Sequence, residues 1–360
     1  MDKIIKDVLS KIENNGFEAY IVGGYVRDLY LGIKSTDIDI STNALPKELI
    51  KIFKQGKLSK ESYGSFKIKK NNYQFDITTY RKESKYINRR PTEVVYINNL
   101  IEDLQRRDFT VNSLCMNLKG QIIDLLDGIK DIEHKLIRTI GSPKDKFKED
   151  PLRILRAVRF SIVLDFNLEQ ETSKWLKKSA KLVKTLSYDR KKEELEKMFI
   201  SSNINKGFEM LKKYNLLNYL EIKYKKITPV NDLCGIWAQL EVSNKYPFTK
   251  KEIENITIIK KIIKYGKIDN TTLFDYGLYL NTVAGSVLGL KQGLISKQYS
   301  ALPIKSLKDI DIETKEIIKL LNIEPSNKLK EIINDLKLRI LKLELKNEQV
   351  EIEKYLVGKW

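Results

Sequence analysis

The stretch from Tyr20 to Asn43, YIVGGYVRDLYLGIKSTDIDISTN, restricts the possible folds more than any other part of the chain. Tyr20-Ile21-Val22 is an apolar run of strand length. The Gly23-Gly24 pair that follows lets a backbone pass close to a bulky ligand. Tyr25 to Leu31 spaces its apolar residues at helical period and leaves Arg27 and Asp28 on the polar side. Thr36-Asp37-Ile38-Asp39-Ile40 then alternates. Residues i and i+2 of a strand share a face. Asp37 and Asp39 therefore aim at one point, while Ile38 and Ile40 anchor the strand behind them.

Two carboxylates on one spot suit a hard divalent cation such as magnesium (Mg2+), which prefers oxygen ligands and keeps substrate phosphates in its shell. A pair of such ions can activate an attacking hydroxyl and neutralise a leaving pyrophosphate. A Gly-Gly turn feeding a helix offers backbone N–H groups to a triphosphate. An isolated D-x-D serves equally well as an acidic turn on a surface strand. The combination of GG-x-V-R-D with D-I-D is far more restrictive.

Composition narrows the partners. Net charge is +18, from 66 Lys and Arg against 48 Asp and Glu, which fits a polyanion. The two cysteines, Cys115 and Cys234, argue against a disulfide framework and for a reducing compartment. With His134 as the one histidine, no Cys or His spacing for zinc exists, and a histidine-rich phosphohydrolase domain is excluded. Residues 1–15 carry Asp2, Lys3, Lys6, Asp7 and Lys11 among apolar residues, the pattern of an amphipathic helix and not of a signal peptide. No stretch reaches the roughly 20 apolar residues of a membrane span. The expectation is a soluble, cytoplasmic protein with no membrane partner.

Arginine is distributed unevenly. The chain has 12 arginines, and all but Arg339 lie at or before Arg190. Lysine suffices for diffuse charge, whereas a planar fork is needed to grip phosphate or a base edge. Directed anion chemistry belongs to the N-terminal half.

Further along, Ser65–Lys69 and Tyr73–Tyr80 alternate around Asn71-Asn72, a hairpin pattern that carries Asp76. Lys82 to Asn99 is polar and reads as irregular. Asp103 to Asn112, DLQRRDFTVN, places two arginines beside an Asp and an Asn, a set able to hold a triphosphate and a ribose hydroxyl together. A second hairpin turns at Lys119-Gly120, and Gly141-Ser142-Pro143 marks a break. Glu149 to Phe160, EDPLRILRAVRF, sets Arg153, Arg156 and Arg159 along one helix face. Asp before Pro is also a good helix N-cap and N1 pair, so Asp150 has a structural reading beside any functional one. Residues 201–360 read as helical, with 27 basic and 19 acidic residues and no catalytic constellation.

These motifs resemble those of class II tRNA nucleotidyltransferases, a family that also includes bacterial poly(A) polymerase. The GG-x-V-R-D … D-I-D head, the R-R-D-F-T-V-N segment and the E-D-x-x-R helix carry the resemblance, which covers residues 15–200 most strongly. It implies an α+β, polymerase-β-like catalytic head at residues 1–140. A helical, nucleotide-reading neck at 141–200 and a helical, tRNA-binding body and tail at 201–360 would follow. The implied reaction adds C, C and A to the 3′ end of tRNA from CTP and ATP, without a nucleic-acid template, and releases pyrophosphate. Asp37 and Asp39 take the catalytic and metal-binding places, with Asp76 as the third carboxylate. Nucleotide contacts fall to Gly23, Gly24, Arg27, Arg107, Asp108, Asn112, Asp150, Arg153, Arg156 and Arg159.

The chain departs from the family pattern in two places. Asn88 stands where an acidic residue usually precedes R-R-P, and one glycine of D-x-x-G-G-x-x-D-L is missing near Asp127-Gly128. A CC-adding or A-adding enzyme therefore stays open. Poly(A) polymerase is a further alternative, although Tyr63-Gly64-Ser65-Phe66 replaces its usual I-G-R-R-F. A catalytically dead RNA-binding protein would be expected to lose one of the paired carboxylates, and both are present.

Asp150 and Arg153 are expected to read the base. Cytosine and adenine both offer an exocyclic amine donor beside a ring-nitrogen acceptor. A carboxylate accepts from the amine and a guanidinium donates to the ring nitrogen, whereas uracil and guanine present the reverse pattern.

Overall fold

The computed structural model describes residues 1–54, 56–60, 64–87, 90–325 and 327–360. They form two compact units, Met1–Glu221 and Ile222–Trp360.

The first unit begins with α1 (Lys3–Glu13), capped by Asp2, which buries Ile5, Val8, Leu9 and Ile12 at helical spacing. A seven-stranded sheet follows, in the spatial order β3-β4-β5-β2-β1-β8-β9. Strand β1 (Ala19–Val22) leads through Gly23 into α2 (Gly24–Tyr30) and returns as β2 (Asp37–Thr42), antiparallel to β1. After α3 (Pro46–Ile52) come β3 (Lys57–Lys60), β4 (Ser65–Lys70) and β5 (Tyr73–Thr79). Asn71 makes the β4–β5 turn with φ +52, a left-handed conformation that Asn tolerates. Strand β5 lies parallel to β2 with Asp76 beside Asp39, and antiparallel to β4 with Asp76 beside Lys67. Ile38, Ile40, Phe75 and Ile77 are buried under this surface.

The segment read as irregular is instead an antiparallel hairpin, β6 (Arg81–Ile87) and β7 (Arg90–Tyr96). The hairpin lies outside the main sheet, and β6 is polar from Arg81 to Lys85, so no apolar alternation marks it in the sequence. Asn88 and Arg89 at its tip lie outside the described residues, as does Tyr63.

Helix α4 (Leu100–Gln105) is capped by Asn99, and a 3₁₀ turn at Thr110–Asn112 leads into β8 (Cys115–Met116) and β9 (Ile122–Ile123). Next is α5 (Gly128–Glu133). Asp127 sits at φ +56 where the family motif has a glycine, and Asp is among the few residues that accept that conformation. Gly128 is constrained differently. A Cβ there would lie 2.4 Å from the Thr110 carbonyl oxygen, which is backbone and has nowhere to rotate. Gly128→Ala is therefore expected to displace the 110–112 turn and cost about 1–3 kcal/mol, the usual penalty for overpacking. Thermal unfolding of the variant measures this directly.

Beyond β10 (Leu136–Ile137) the unit is helical: α6 (Pro143–Glu149), α7 (Leu152–Val163), α8 (Gln170–Ser179) and α9 (Tyr188–Phe199). The short β11 (Asn167–Leu168) interrupts them and pairs in parallel with β10. Two-residue strands are too short to leave an alternation in the sequence.

The second unit opens with a short strand pair, Ile222–Tyr224 with Leu240–Val242, and is otherwise helical. Leu273, Ile295, Ile317, Ile332, Leu336, Ile340 and Leu356 form one of its cores. Helix Asn270–Val287 breaks at Gly277, whose φ is +71. A cavity of about 970 Å³ in this unit is lined by Lys261, Lys264, Lys267, Tyr265 and Tyr276 among others. Lys267 lies 5.2 Å from the ring centre of Tyr265, and Lys261 lies 5.3 Å from that of Tyr276. Among the described residues, no helix is long and apolar enough to cross a membrane.

Candidate active site

Every site candidate named from the sequence lines a single cavity of about 700 Å³ in the first unit. Strands β2 and β5 supply Asp37, Asp39 and Asp76, the turn into α2 supplies Gly23 and Gly24, and α2 supplies Arg27. Arg107, Asp108 and Asn112 come from the segment after α4, and Asp150, Arg153, Arg156 and Arg159 from the start and face of α7. Arginine is concentrated as its distribution implied: Arg27, Arg81, Arg106, Arg107, Arg153, Arg156 and Arg159 all face this space.

Alternation along β2 sends Ile38 and Ile40 into the core and leaves Asp37 and Asp39 open to the cavity. Asp76 accepts a hydrogen bond from Ser65 Oγ at 2.7 Å and an ion pair from Lys67 Nζ at 3.4 Å. The cavity walls hold enough water off Asp39 to raise its pKa above the usual carboxylate value. Arg107 opposes that rise, Asp76 and Asp37 add to it, and Arg156 opposes it more weakly. Crowded carboxylates of this kind resist ionising together, and a bound cation relieves that cost.

Gly23 has φ +78, and that backbone conformation, more than space, calls for glycine. A Cβ there would sit at ordinary contact distance, 3.6 Å from Asp39 Oδ2 and 3.8 Å from Arg107 NH1. The Gly23 N–H, which the sequence offered to a triphosphate, instead donates to the Leu114 carbonyl at 3.1 Å. The first-turn N–H groups of α2 are the ones a helix start leaves for an anion.

A chain of polar contacts joins the head motifs. Arg27 donates to Asp28 at 2.6 Å and to Asn112 Oδ1 at 2.5 Å. Asn112 Nδ2 donates to Asp108 at 3.3 Å, and Arg156 Nε donates to the other Asp108 oxygen at 2.6 Å. Burial alone would raise the pKa of Asp108, but Arg156 and Asn112 outweigh it and hold the carboxyl below its ordinary value.

Beneath these lies a carboxylate that the sequence quoted without assigning a role. Asp103 is fully buried and accepts from Arg106 Nε at 2.8 Å, Ser41 Oγ at 3.2 Å, the Arg81 N–H at 3.2 Å and Arg107 NH2 at 3.3 Å. Arg107 also donates to Ser41 at 2.8 Å, while its buried Nε has no partner among the described residues. The Arg107 guanidinium lines the cavity near Asp39 and suits an anionic substrate there.

At the start of α7, Asp150 lines the cavity and also caps the helix. Its Oδ1 accepts from the Leu152 N–H at 3.0 Å, the cap expected of Asp before Pro. Arg153 is held by the Lys146 carbonyl at 3.0 Å, the Arg106 carbonyl at 3.1 Å and Glu149 at 2.7 Å. Arg159 donates to the buried Glu194 at 2.7 Å. The cavity also takes in Gln74, Glu83, Phe160 and Lys197, none of which the sequence singled out. Lys197 comes from α9, remote from the motifs, and no sequence signal marks it.

The donor set fits a hard divalent cation: two carboxylates from one strand and a third in register beside them, all oxygen. Among the described residues, no group of three His, Cys, Asp or Glu is drawn together as tightly as a bound metal would require.

Comparison with known proteins agrees with this geometry. Residues 19–138 match the model of the poly A polymerase head domain, 165–225 that of the probable RNA and SrmB-binding site of polymerase A, and 238–356 that of tRNA nucleotidyltransferase domain 2. The CCA-adding enzyme of Ligilactobacillus salivarius is 32% identical, over 93% of this chain and 91% of its own. That of Pediococcus pentosaceus is 33% identical, over 96% of this chain and 95% of its own. The crystal structure of the Bacillus stearothermophilus CCA-adding enzyme in complex with CTP superposes with a TM-score of 0.86 at 25% identity, covering 100% of this chain and 98% of that one. With the acidic strand, the R-R-D-F-T-V-N turn and the α7 arginines meeting in one cavity, this chain belongs to the family of class II tRNA nucleotidyltransferases, the CCA-adding enzymes.

Proposed function

We propose that this chain adds C, C and A to the 3′ end of tRNA from CTP and ATP, without a nucleic-acid template, and releases pyrophosphate. The carrying observation is that three motifs distant in sequence line one arginine-rich cavity floored by Asp37 and Asp39. The tRNA 3′-hydroxyl attacks the α-phosphate of the incoming nucleotide, a reaction that depends mostly on positioning and charge neutralisation. Asp37 and Asp39 hold Mg2+, with Asp76 as an auxiliary carboxylate. The bound ions supply Lewis-acid neutralisation at the reacting phosphate. Arg27, Arg107 and the start of α2 hold the triphosphate, and Asp108, Asn112 and Arg156 orient ribose and phosphate. Residues 1–140 serve as the catalytic head, 141–200 as the nucleotide-reading neck, and 201–360 as the tRNA-binding body and tail. The lysines and tyrosines of the second unit support that last assignment, since both suit an RNA backbone and its bases. Two free cysteines and the tRNA substrate favour the cytoplasm.

Purified protein given tRNAs that end before, within and after CCA, with CTP and ATP singly and together, tests the reaction. Completion of CCA from both nucleotides is expected. A chain that stops after CC, adds only A, or extends with A indefinitely is a CC-adding enzyme, an A-adding enzyme or a poly(A) polymerase instead.

Asp150 and Arg153 read the base in this proposal, and the cap at Asp150 makes the test sharper. Asp150→Ser keeps an N-cap and removes the carboxylate, so its melting temperature is expected to stay close to wild type. Its preference for CTP over UTP is expected to fall about ten- to a hundredfold, matching roughly 1–3 kcal/mol per bidentate base contact. Unchanged selectivity in the four-nucleotide assay would leave Asp150 as a cap alone.

A further inference from the structure

Phe160 stands out in the cavity because most of the residues that line it are charged. Phe160 is 7% exposed, one of the buried residues of α7. Three guanidiniums surround it. The central carbon of Arg159 lies 4.1 Å from the ring centre, that of Arg156 at 5.1 Å and that of Arg27 at 5.4 Å. Arg156 and Arg159 come from α7 itself, and Arg27 from α2. Behind the ring, Phe109 of the R-R-D-F segment meets it edge-on, with centres 5.7 Å apart and planes at 77°.

Each of these arginines also has a carboxylate of its own: Arg27 with Asp28 at 2.6 Å, Arg156 with Asp108 at 2.6 Å, and Arg159 with Glu194 at 2.7 Å. An ion pair fixes where one edge of a guanidinium points but leaves the plane free to roll about that contact. An aromatic face attracts the cation as well and gives each group a second attachment. Three like charges gathered in a partly dry space would otherwise spread apart. A ring shared among them opposes that spreading, and an aliphatic side chain of equal volume does not.

We propose that Phe160 is the positioning residue of the nucleotide site: its ring holds Arg27, Arg156 and Arg159 fanned toward the cavity, and nucleotide affinity depends on the ring's π electrons. The proposal rests on the reading of this cavity as the nucleotide site. It assigns the ring no contact with the reacting atoms, so its loss acts on nucleotide KM and leaves the chemical step to the acidic strand.

Fluorinated phenylalanines at position 160 separate this role from packing, because successive fluorines drain the ring face of negative potential while nearly preserving its shape. Along the series from phenylalanine to pentafluorophenylalanine, the KM for CTP and for ATP is expected to climb stepwise to about tenfold, the size of one desolvated cation–π contact. The kcat, the KM for tRNA and the melting temperature are expected to hold. Phe160→Leu, checked by thermal unfolding, should show the same rise in nucleotide KM in a folded protein. A flat KM along the fluorine series, or a KM rise that only tracks a falling melting temperature, would overturn the proposal. So would a folded Phe160→Leu with wild-type nucleotide KM. A wild-type chain that incorporates no CTP at all would overturn the reading of the cavity on which the proposal rests.

Discussion

Asp39→Asn is expected to lose nucleotide incorporation by about a thousandfold or more, the scale of removing charge neutralisation from a phosphoryl transfer. The fold should not suffer. The pKa of Asp39 is raised in the native protein, so its ionised form costs stability at neutral pH. That cost is present above the native pKa and disappears as pH falls below the unfolded value. Asparagine removes it at every pH, so the metal-free variant should melt no lower than wild type. Asp37→Asn should lose activity to a similar degree. In both variants tRNA affinity should stay within severalfold of wild type, because the role proposed for these carboxylates is to hold metal and not to grip RNA. Single-turnover incorporation, a tRNA-binding titration and a melting curve in chelator together decide it. Ordinary turnover by either variant would remove the metal assignment.

The opposite balance holds for Asp103. Asp103→Ala is expected to cost about 3–5 kcal/mol of stability, because it removes the buried counter-charge that Arg106 and Arg107 share and leaves Arg106 only its longer pairing with Glu83 at 3.4 Å. Burial works to raise the pKa of Asp103, yet Arg106 and Arg107 together hold it below the ordinary carboxylate value. With the native pKa lower than the unfolded one, its stabilising contribution is complete above the unfolded value. It is lost as pH falls through the native value. Wild type should therefore lose more stability than Asp103→Ala as pH falls through and below the ordinary carboxylate range, and the two unfolding curves should converge in acid. Equal stability of the two proteins at pH 7 would show that the network beneath the site contributes nothing to the fold.

What the sequence disclosed, and what it hid, follows from where the signals lie. The acidic strand was legible because alternation alone puts Asp37 and Asp39 on one face, and Ile38 and Ile40 are buried where that rule sends them. The site candidates were legible because they sit in compact motifs with unusual residue spacing, and all of them reach one cavity. The β6–β7 hairpin was not, since β6 runs polar from Arg81 to Lys85 and carries no apolar period. Asp103 was hidden by its setting: four donors from three elements meet it, and only one of those elements is its own helix. Phe160 carried no signal of its own in the sequence, since an aromatic on the apolar face of a helix usually belongs to the core. The use of the Gly23 N–H by Leu114 depends on β8 lying beside β1, a pairing of segments more than ninety residues apart.

The parallel pairing of β2 with β5 sets a tolerance on the chain that no active-site residue reveals by itself. Asp76 faces the cavity only because it lies level with Asp39, and side chains alternate with a period of two. A slip of one residue between these strands would turn Asp76 into the core and bring Phe75 or Ile77 up beside the acidic pair. The turn at Asn71-Asn72, with its left-handed asparagine, fixes how β5 returns along β4 and hence how far it travels beside β2. Length at that remote bend acts as a ruler for the catalytic surface. Substitutions there that keep the count leave the ruler intact, while a single inserted or deleted residue miscuts it.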